Sequence, residues 1–353
     1  NIETQGTIRL AGLKVGGNAA KSGDINYTLR GAADGTFPEG VVTLRVIDFD
    51  AGLALRRLDG RATLARAPLQ SIDLDFTAQD RADRKHALKA LLSFAPEGAV
   101  LRVNQLSATA PDGAWRLARP ATLSQRGDTF VIEQLSLRNG ERAVNLDGQF
   151  GFAGKQDLRL EVDRLALETV AGFLSDAPKM SGLIAARAQI GGSAAAPEIT
   201  LTLKLSDPHI AGQPYAGANA EANYKDQRAA LRLSVQQDAT HSLTVNGTAP
   251  LALSWEDQWR AEPGDGMELR ARSAGLSVAF LNAFTGKTAE SIAGEFELDL
   301  LARGSLKQPD LRGSYRLRDG RVRVVDFGKR VARRSQQALD LAAQLLPVLQ
   351  CAR

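Results

Sequence analysis

Few residues of this chain combine the types and spacing that catalysis or ligand chemistry requires. The sequence Gly286-Lys287-Thr288 matches the end of a phosphate-binding loop, but the first glycine of that motif would fall on Leu281. Without that glycine the backbone N–H groups cannot form the nest that holds a phosphate. We therefore expect no nucleotide site in this segment.

The titratable side chains give no stronger signal. The three histidines lie far apart in the sequence and lack the close spacing of zinc ligands. Two aspartate pairs, Asp48 with Asp50 and Asp73 with Asp75, have a spacing that suits acid–base chemistry, but no base or nucleophile accompanies them. The sequence thus predicts a protein that is not an enzyme, with no catalytic residues, no cofactor and no metal.

Composition narrows the class of protein further. Of 353 residues, 44% are hydrophobic but only 5% are aromatic, so the interior must consist mainly of Leu, Val, Ile and Ala. The 44 basic and 40 acidic residues are dispersed, and no basic run is interleaved with aromatics, which argues against nucleic acid as a partner. The single cysteine, Cys351, excludes a disulfide framework. No apolar run approaches the ~18 residues of a membrane span.

The main organising feature of the chain is an internal repeat. Residues 182–210 recur at residues 294–322, an offset of 112 from position 182 to position 294. Each copy has the pattern of a strand, a Gly-Ser-x-x-x-Pro turn and a second strand. The coinciding turn residues are Gly182 and Gly294, Gly192 and Gly304, Pro197 and Pro309, and Asp207 and Asp319. Repeated strand units are typical of an extended all-β array.

Alternating apolar and polar residues predict short strands along most of the chain, as in an antiparallel sheet with one wet face. Residues 87–92 fit a strand or a short helix equally well. We expect a short helix within residues 165–174 and a counterpart within residues 276–285. The tail 331–353 is either a helix ended by Pro347 or an interrupted strand.

The predicted fold is therefore all-β: a long, repetitive, curled antiparallel β-sheet with few short helices. We divide it into an N-terminal β region (residues 1–95), a region of β repeats (96–330) and the tail (331–353). The aliphatic stripe has two interpretations, a β-sandwich core or an open trough that solvates an acyl chain at ~0.8 kcal/mol per CH₂. The candidate residues of such a groove are Leu158, Leu160, Val162, Leu201, Leu203, Leu231, Leu233, Val235, Phe296, Leu298 and Leu300.

Several segments together carry a family likeness. In this order they resemble the TamB translocation and assembly module proteins of the AsmA-like, bridge-like lipid transfer group; the segments are 112–120, 146–148, 165–173, 192–197 and 245–251. The likeness covers residues 95–330 and, more weakly, the first 95.

The resemblance implies a fold and a function. Members are anchored in the inner membrane of diderm bacteria and cross the periplasm as a β-taco with a hydrophobic groove. They support phospholipid transport to the outer membrane and the assembly and secretion of outer-membrane proteins with the β-barrel TamA. We expect this chain to be an interior portion, with the anchor and the partner-binding domain elsewhere.

Three functions follow as hypotheses. The first is a non-enzymatic lipid-conduit segment whose ligands are phospholipid acyl chains. The second is a scaffold or chaperone module for outer-membrane protein assembly, including autotransporters, which would use exposed sheet edges. The third is an adhesive β-array.

Overall fold

A computed structural model describes most of the chain, and the described residues are 2–15, 18–31, 37–50, 54–172, 179–210, 212–256, 258–279, 289–306 and 308–324. They form 22 strands and one short α-helix, and the ladder pairings between the strands are antiparallel. The prediction of an all-β fold is confirmed.

The strands divide into two units by their backbone contacts. The first unit is Asn1–Leu165 with Gly172–Ser175. Its strands, the last of which ends at the unit boundary, are β1 (Ile2–Val15), β2 (Asn18–Gly31), β3 (Glu39–Asp50), β4 (Ala54–Ala65), β5 (Ser71–Asp80), β6 (Lys85–Ala95), β7 (Gly98–Ala110), β8 (Gly113–Leu117), β9 (Ala121–Arg126), β10 (Thr129–Asn139), β11 (Arg142–Gly151) and β12 (Asp157–Ala166).

Each strand of the first unit pairs with the next strand along the chain, except near its middle. There the short strands β8 and β9 both pair with β7 on one side and with β10 on the other, so together they fill one position of the ladder. Residues 87–92, which fitted a helix equally well, belong to strand β6. Lys89, the one polar residue of that run, is exposed, as period-two alternation allows.

The second unit is Ala166–Ala171 with Asp176–Arg353. Its elements are α1 (Leu167–Ala171), β13 (Met180–Gly192), β14 (Pro197–Ile210), β15 (Gln213–Pro214), β16 (Gly217–Lys225), β17 (Arg228–Gln236), β18 (Ser242–Ser254), β19 (Arg260–Pro263), β20 (Asp265–Ser277), β21 (Ala289–Ser305) and β22 (Pro309–Val324). Helix α1 lies within the range expected for it. Its expected counterpart falls mainly on residues 280–285, and that part, like the tail 331–353, lies outside the described residues.

The repeat of the sequence is also a repeat of backbone geometry. In β13–β14 the glycine before the turn pairs with Pro197, and in β21–β22 the corresponding glycine pairs with Pro309. At the far end of both hairpins one glycine faces two residues of the partner strand, which is a β-bulge. The φ angles agree between the copies: 124° at Gly182 and 137° at Gly294, then 47° at Asp207 and 49° at Asp319.

In the second unit, one strand extends along the ends of its neighbours. Beyond residue 250, strand β18 leaves β17 and pairs with β19. On its way the backbone N–H of Leu251 donates to the carbonyl of Gln227 (2.8 Å), and that of Trp255 donates to the carbonyl of Ala194 (3.0 Å). We call residues 251–256 and 258–263 the rim ribbon. It links the end of β18 to the β13–β14 turn.

The first unit also bends at one strand end. The rings of Phe37, just before β3, and of Phe94, at the end of β6, lie 5.8 Å apart between centroids. The side chain of Arg66 donates from Nε to the carbonyl of Phe37 (3.0 Å). Because β4 and β5 lie between β3 and β6 in the ladder, this contact requires the sheet to curl there.

Candidate functional site

The register of the second unit places its aliphatic side chains on one face. Residues that are directly opposite in an antiparallel pair point to the same side, so a face can be followed from strand to strand. One such row runs through eight strands: Ala186, Leu203, Ala220, Leu233, Val245, Ala271, Leu300 and Gly313. We call this side of the second unit its apolar face.

All eight groove candidates in this unit lie on the apolar face, and these are Leu201, Leu203, Leu231, Leu233, Val235, Phe296, Leu298 and Leu300. None of them is buried: Leu231 is 38% exposed, and the other seven are half-buried. On β16, by contrast, the two face residues nearest the strand ends, Ala218 and Tyr224, are buried. The margins of the face are therefore packed, while its centre is partly open.

The rim ribbon forms one of these margins. The Tyr224 hydroxyl donates to the carbonyl of Leu251 (3.0 Å) and accepts a hydrogen bond from the N–H of Leu253 (3.0 Å). Trp255 is only 4% exposed, and its ring stacks on that of Trp259 with centroids 6.1 Å apart and planes 11° apart. Since Trp259 is 71% exposed, the margin ends in an aromatic pair of which one member faces water.

The other three candidates belong to the first unit. Leu158, Leu160 and Val162 on β12 are half-buried and lie opposite Gly148, Leu146 and Val144 of β11. The aliphatic face of this unit is more tightly packed in its interior, since three aligned residues there, Ala90, Val103 and Ala121, are at most 6% exposed. The structure thus brings together the candidates within each unit.

The opposite, polar side of each unit carries shallow hollows. One in the second unit has a volume of about 960 Å³ and is bordered by β14, β16, β17 and β18. Its polar side chains are mostly hydroxyls and amides: Thr200, Thr202, Asn219, Glu221, Asn223, Arg232, Ser234, Thr244, Asn246 and Thr248. Its charged residues Arg232 and Glu221 lie within 3.8 Å of each other. The hollow is therefore close to neutral.

One titratable cluster involves the second copy of the repeat. The His241 ring lies 2.6 Å from Asp238 through Nδ1 and 3.8 Å from Glu295 of β21 through Nε2. The hydrogen bond to Asp238 raises the pKa of His241 above its ordinary value, and the same bond holds the pKa of Asp238 far below its own. A second carboxylate, Asp80, is buried at the β5–β6 turn. Burial raises its pKa, but hydrogen bonds from Arg84 and Ala82 more than offset this and leave it lowered.

The other titratable side chains that the sequence suggested for catalysis or binding do not form a site in the described part of the chain. Asp75 pairs with Lys89 across the ladder (3.1 Å). In the described part of the chain no group of three or more His, Cys, Asp or Glu side chains is arranged to hold a metal ion. Residues 286–288, with their partial phosphate-loop sequence, lie outside the described residues. None of the described helices has the length and apolarity of a membrane span.

Comparisons with known proteins identify no family for this chain. No family model, curated protein or solved structure matches it.

Two features, one in each unit, were not predicted from the sequence. The rim ribbon was not expected, because β19 has four residues and no alternating apolar pattern. The second feature is a group of cations on the polar side of the first unit, Arg57, Lys85 and Arg116, which are far apart in the sequence. Only the register between strands brings them together.

Proposed function

We propose that this chain is a segment of a lipid conduit that holds phospholipid acyl chains on its apolar faces. The observation that carries the proposal is the second unit's apolar face, which is continuous over eight strands and only half-buried at its centre. Such a face binds by burial of CH₂ groups, at ~0.8 kcal/mol each, and needs no directional chemistry. The proposal therefore requires no catalytic residue and no cofactor.

The dimensions of the face suit this ligand. Strands in a ladder are spaced by about 4.8 Å, so eight strands cover on the order of 30 Å along the sheet. This is roughly the thickness of a bilayer's hydrocarbon core, which holds two acyl chains end to end. A lipid could thus pass from strand to strand without returning its tails to water.

The cellular setting of the proposal comes from the TamB resemblance. We place the segment in the periplasm of a diderm bacterium, within a longer protein anchored in the inner membrane. Its task there would be phospholipid transport to the outer membrane and outer-membrane biogenesis.

A charge placed on the apolar face tests the proposal. Leu203→Asp and Leu298→Asp should each lower the lipid recovered with the protein at least several-fold, because a carboxylate makes an apolar path unfavourable. Lipid is measured by mass spectrometry of organic extracts, and its movement by transfer of a fluorescent phospholipid between vesicles. Ser234→Asp is the matched control, since Ser234 is exposed on the polar side and its ladder neighbours Asn219 and Thr244 are uncharged.

Circular dichroism completes this test. A partly open face should accept either aspartate with its strand content retained, whereas a closed sandwich core should unfold. Unfolding of both variants, or unchanged lipid content in folded variants, would contradict the proposal.

A second candidate function is favoured by the end strands. Among the described strands, β1 pairs only with β2 and β22 only with β21, so one edge of each carries no strand within the described residues. Ile8 on β1 is 47% exposed and Leu317 on β22 is 55% exposed. Unpaired edges with exposed apolar residues can accept a further strand. This suits a scaffold for outer-membrane protein assembly with a TamA-like barrel.

Photocrosslinking distinguishes the two functions. A crosslinker at Thr7 on β1 or Ser314 on β22 should capture nascent barrel strands if the chain is a scaffold. Crosslinks to lipid from position 203, without capture at the edges, would support the conduit instead.

A further inference from the structure

The polar side of the first unit contains a hollow with a floor of small residues. Its volume is about 440 Å³, and it lies over β5, β6, β7 and β8. Across these strands Thr77, Ala87, Ser107 and Arg116 are aligned in register. Because alanine and serine stand between longer side chains, the surface is depressed there. We call this depression the basic hollow.

Cations outnumber anions around the basic hollow. Lys85, Arg116 and Arg57 line it, with Asp59 as the one carboxylate among its described lining residues. That carboxylate is already engaged: it accepts hydrogen bonds from Arg57 and from Arg45 (2.8 Å). The bond from Arg57 also keeps the pKa of Asp59 low, so it stays ionised.

The other two cations lack an acidic partner. Within the described ranges, no carboxylate is within 4.0 Å of a side-chain nitrogen of Lys85 or Arg116. In addition, Arg116 lies directly opposite Arg138 of β10 in the ladder. Like charges in that position repel each other. Nearby strands avoid this arrangement, as in the ion pair of Lys89 with Asp75 (3.1 Å).

We propose that the basic hollow binds a phosphate group, held by Lys85 and Arg116 over the hydroxyls of Ser107 and Thr109. A tetrahedral oxyanion would relieve the repulsion between Arg116 and Arg138. The site lies on the opposite side of the sheet from the aliphatic residues, so it is independent of the lipid-conduit proposal.

The positions of the side chains suit such a ligand. Lys85 and Arg116 are two strands apart, about 10 Å across the ladder, and are offset by two residues, about 7 Å, along it. Both side chains are long and exposed, so their charged ends can converge on an anion above the intervening strand. A guanidinium presents paired N–H donors that fit two oxygens of one phosphate, and an ammonium adds a third contact. Ser107 and Thr109 on that intervening strand supply hydroxyl donors.

The phosphate could be free or belong to a lipid headgroup, and two measurements separate these sources. Isothermal titration with inorganic phosphate at constant ionic strength tests the free anion. Flotation with phosphatidylcholine vesicles, with and without phosphatidylglycerol, tests the headgroup. We expect the double variant Lys85→Gln/Arg116→Gln to lose at least tenfold in affinity in whichever assay detects binding.

A control of equal charge keeps the test specific. Lys155→Gln/Arg126→Gln removes two exposed cations of the same unit that do not line the basic hollow, and it should bind like the parent protein. Lys85→Arg, which keeps the charge, should bind within about threefold of the parent. The proposal is overturned if neither phosphate nor phosphatidylglycerol vesicles bind, or if the control loses as much affinity as the double variant.

Discussion

The two copies of the repeat share a backbone but differ in their side chains. Each has a bulge that places a glycine opposite an aspartate of left-handed φ. On the apolar face, however, β13 presents Ala186 and Ala188 where β21 presents Leu298 and Leu300. The copies also differ in their surroundings, because among the described strands β14 is paired on both edges and β22 on one.

This contrast indicates which features the fold requires. The bulge recurs at the same point of both hairpins, where it bends the strand and increases its twist. The size of the apolar residues can vary because, among the described residues, those at the centre of the face are only half-buried. A close-packed core would not allow alanine and leucine to exchange at equivalent positions so readily.

The largest effect is expected from exchanging residues at the position where the two copies differ in backbone conformation. Leu201 corresponds to Gly313, whose φ is 139°, and a Cβ there would lie 1.9 Å from the carbonyl oxygen of Asp299. Gly313→Leu should therefore destabilise the β21–β22 pair by about 2–4 kcal/mol. Hydrogen exchange of β22 amides measures this loss.

The reverse exchange should be milder. Leu201→Gly removes a half-buried side chain and adds backbone freedom, at about 1–2 kcal/mol. Equal effects of the two substitutions would contradict the assigned backbone difference.

Two leucines at equivalent positions of the repeat differ in their exposure. Leu205 of β14 is half-buried between two neighbouring strands, whereas Leu317 of β22 is 55% exposed at an edge. Leu205→Ala should destabilise its unit by about 1–2 kcal/mol, and Leu317→Ala by less than about 0.5 kcal/mol. Urea unfolding followed by circular dichroism measures both. A large effect at Leu317 would mean that the β22 edge is covered in solution.

A third substitution makes the first copy resemble the second. Ala186→Leu enlarges a residue on the apolar face, to the size found at Leu298. In a closed core such an insertion destabilises by about 1–3 kcal/mol through overpacking, but on a partly open face we expect less than about 1 kcal/mol. The same urea measurement decides between these outcomes. A loss at the upper end would favour a sandwich core.

The smallest expected effect concerns a contact that only the second copy makes. Glu295 lies 3.8 Å from the His241 ring, whereas the equivalent residue of the first copy is Leu183. Because the pKa of His241 is raised above 6.5, its ionic contacts stabilise the folded state below pH 6.5 and are lost as the pH rises through the raised value.

An NMR titration tests this contact. Asp238→Asn should return the pKa of His241 towards 6.5, because it removes the larger cause of the shift. Glu295→Gln should lower it less. A parent His241 that titrates at 6.5 would refute the contact.

The sequence predicted those features that depend on local patterns. Alternation along Leu201, Leu203 and Leu205 was enough to assign one face, because every second side chain of a strand points the same way. The repeat was visible because glycine, proline and aspartate at its turns have few substitutes for their backbone angles.

Features that depend on pairing between distant strands could not be predicted. Lys85, Arg116 and Arg138 are neighbours only through the register of β6, β7, β8 and β10. The rim ribbon depends on the contact of Trp255 with Ala194, which no local pattern encodes. Residues 87–92 stayed ambiguous because Ala-Leu-Lys-Ala-Leu-Leu suits both periods.

If the chain carries lipid as we propose, the strand-by-strand register of its second unit has a consequence for the rate of transfer. A lipid that moves along the apolar face contacts its eight strands one after another, so the resistance to movement at each strand adds to the total. The strand with the least favourable lipid contacts then limits the rate of transfer, and more favourable contacts at another strand change that rate little. The first carboxylate should therefore cause most of the loss, wherever along the row it is placed, and each further one should add less.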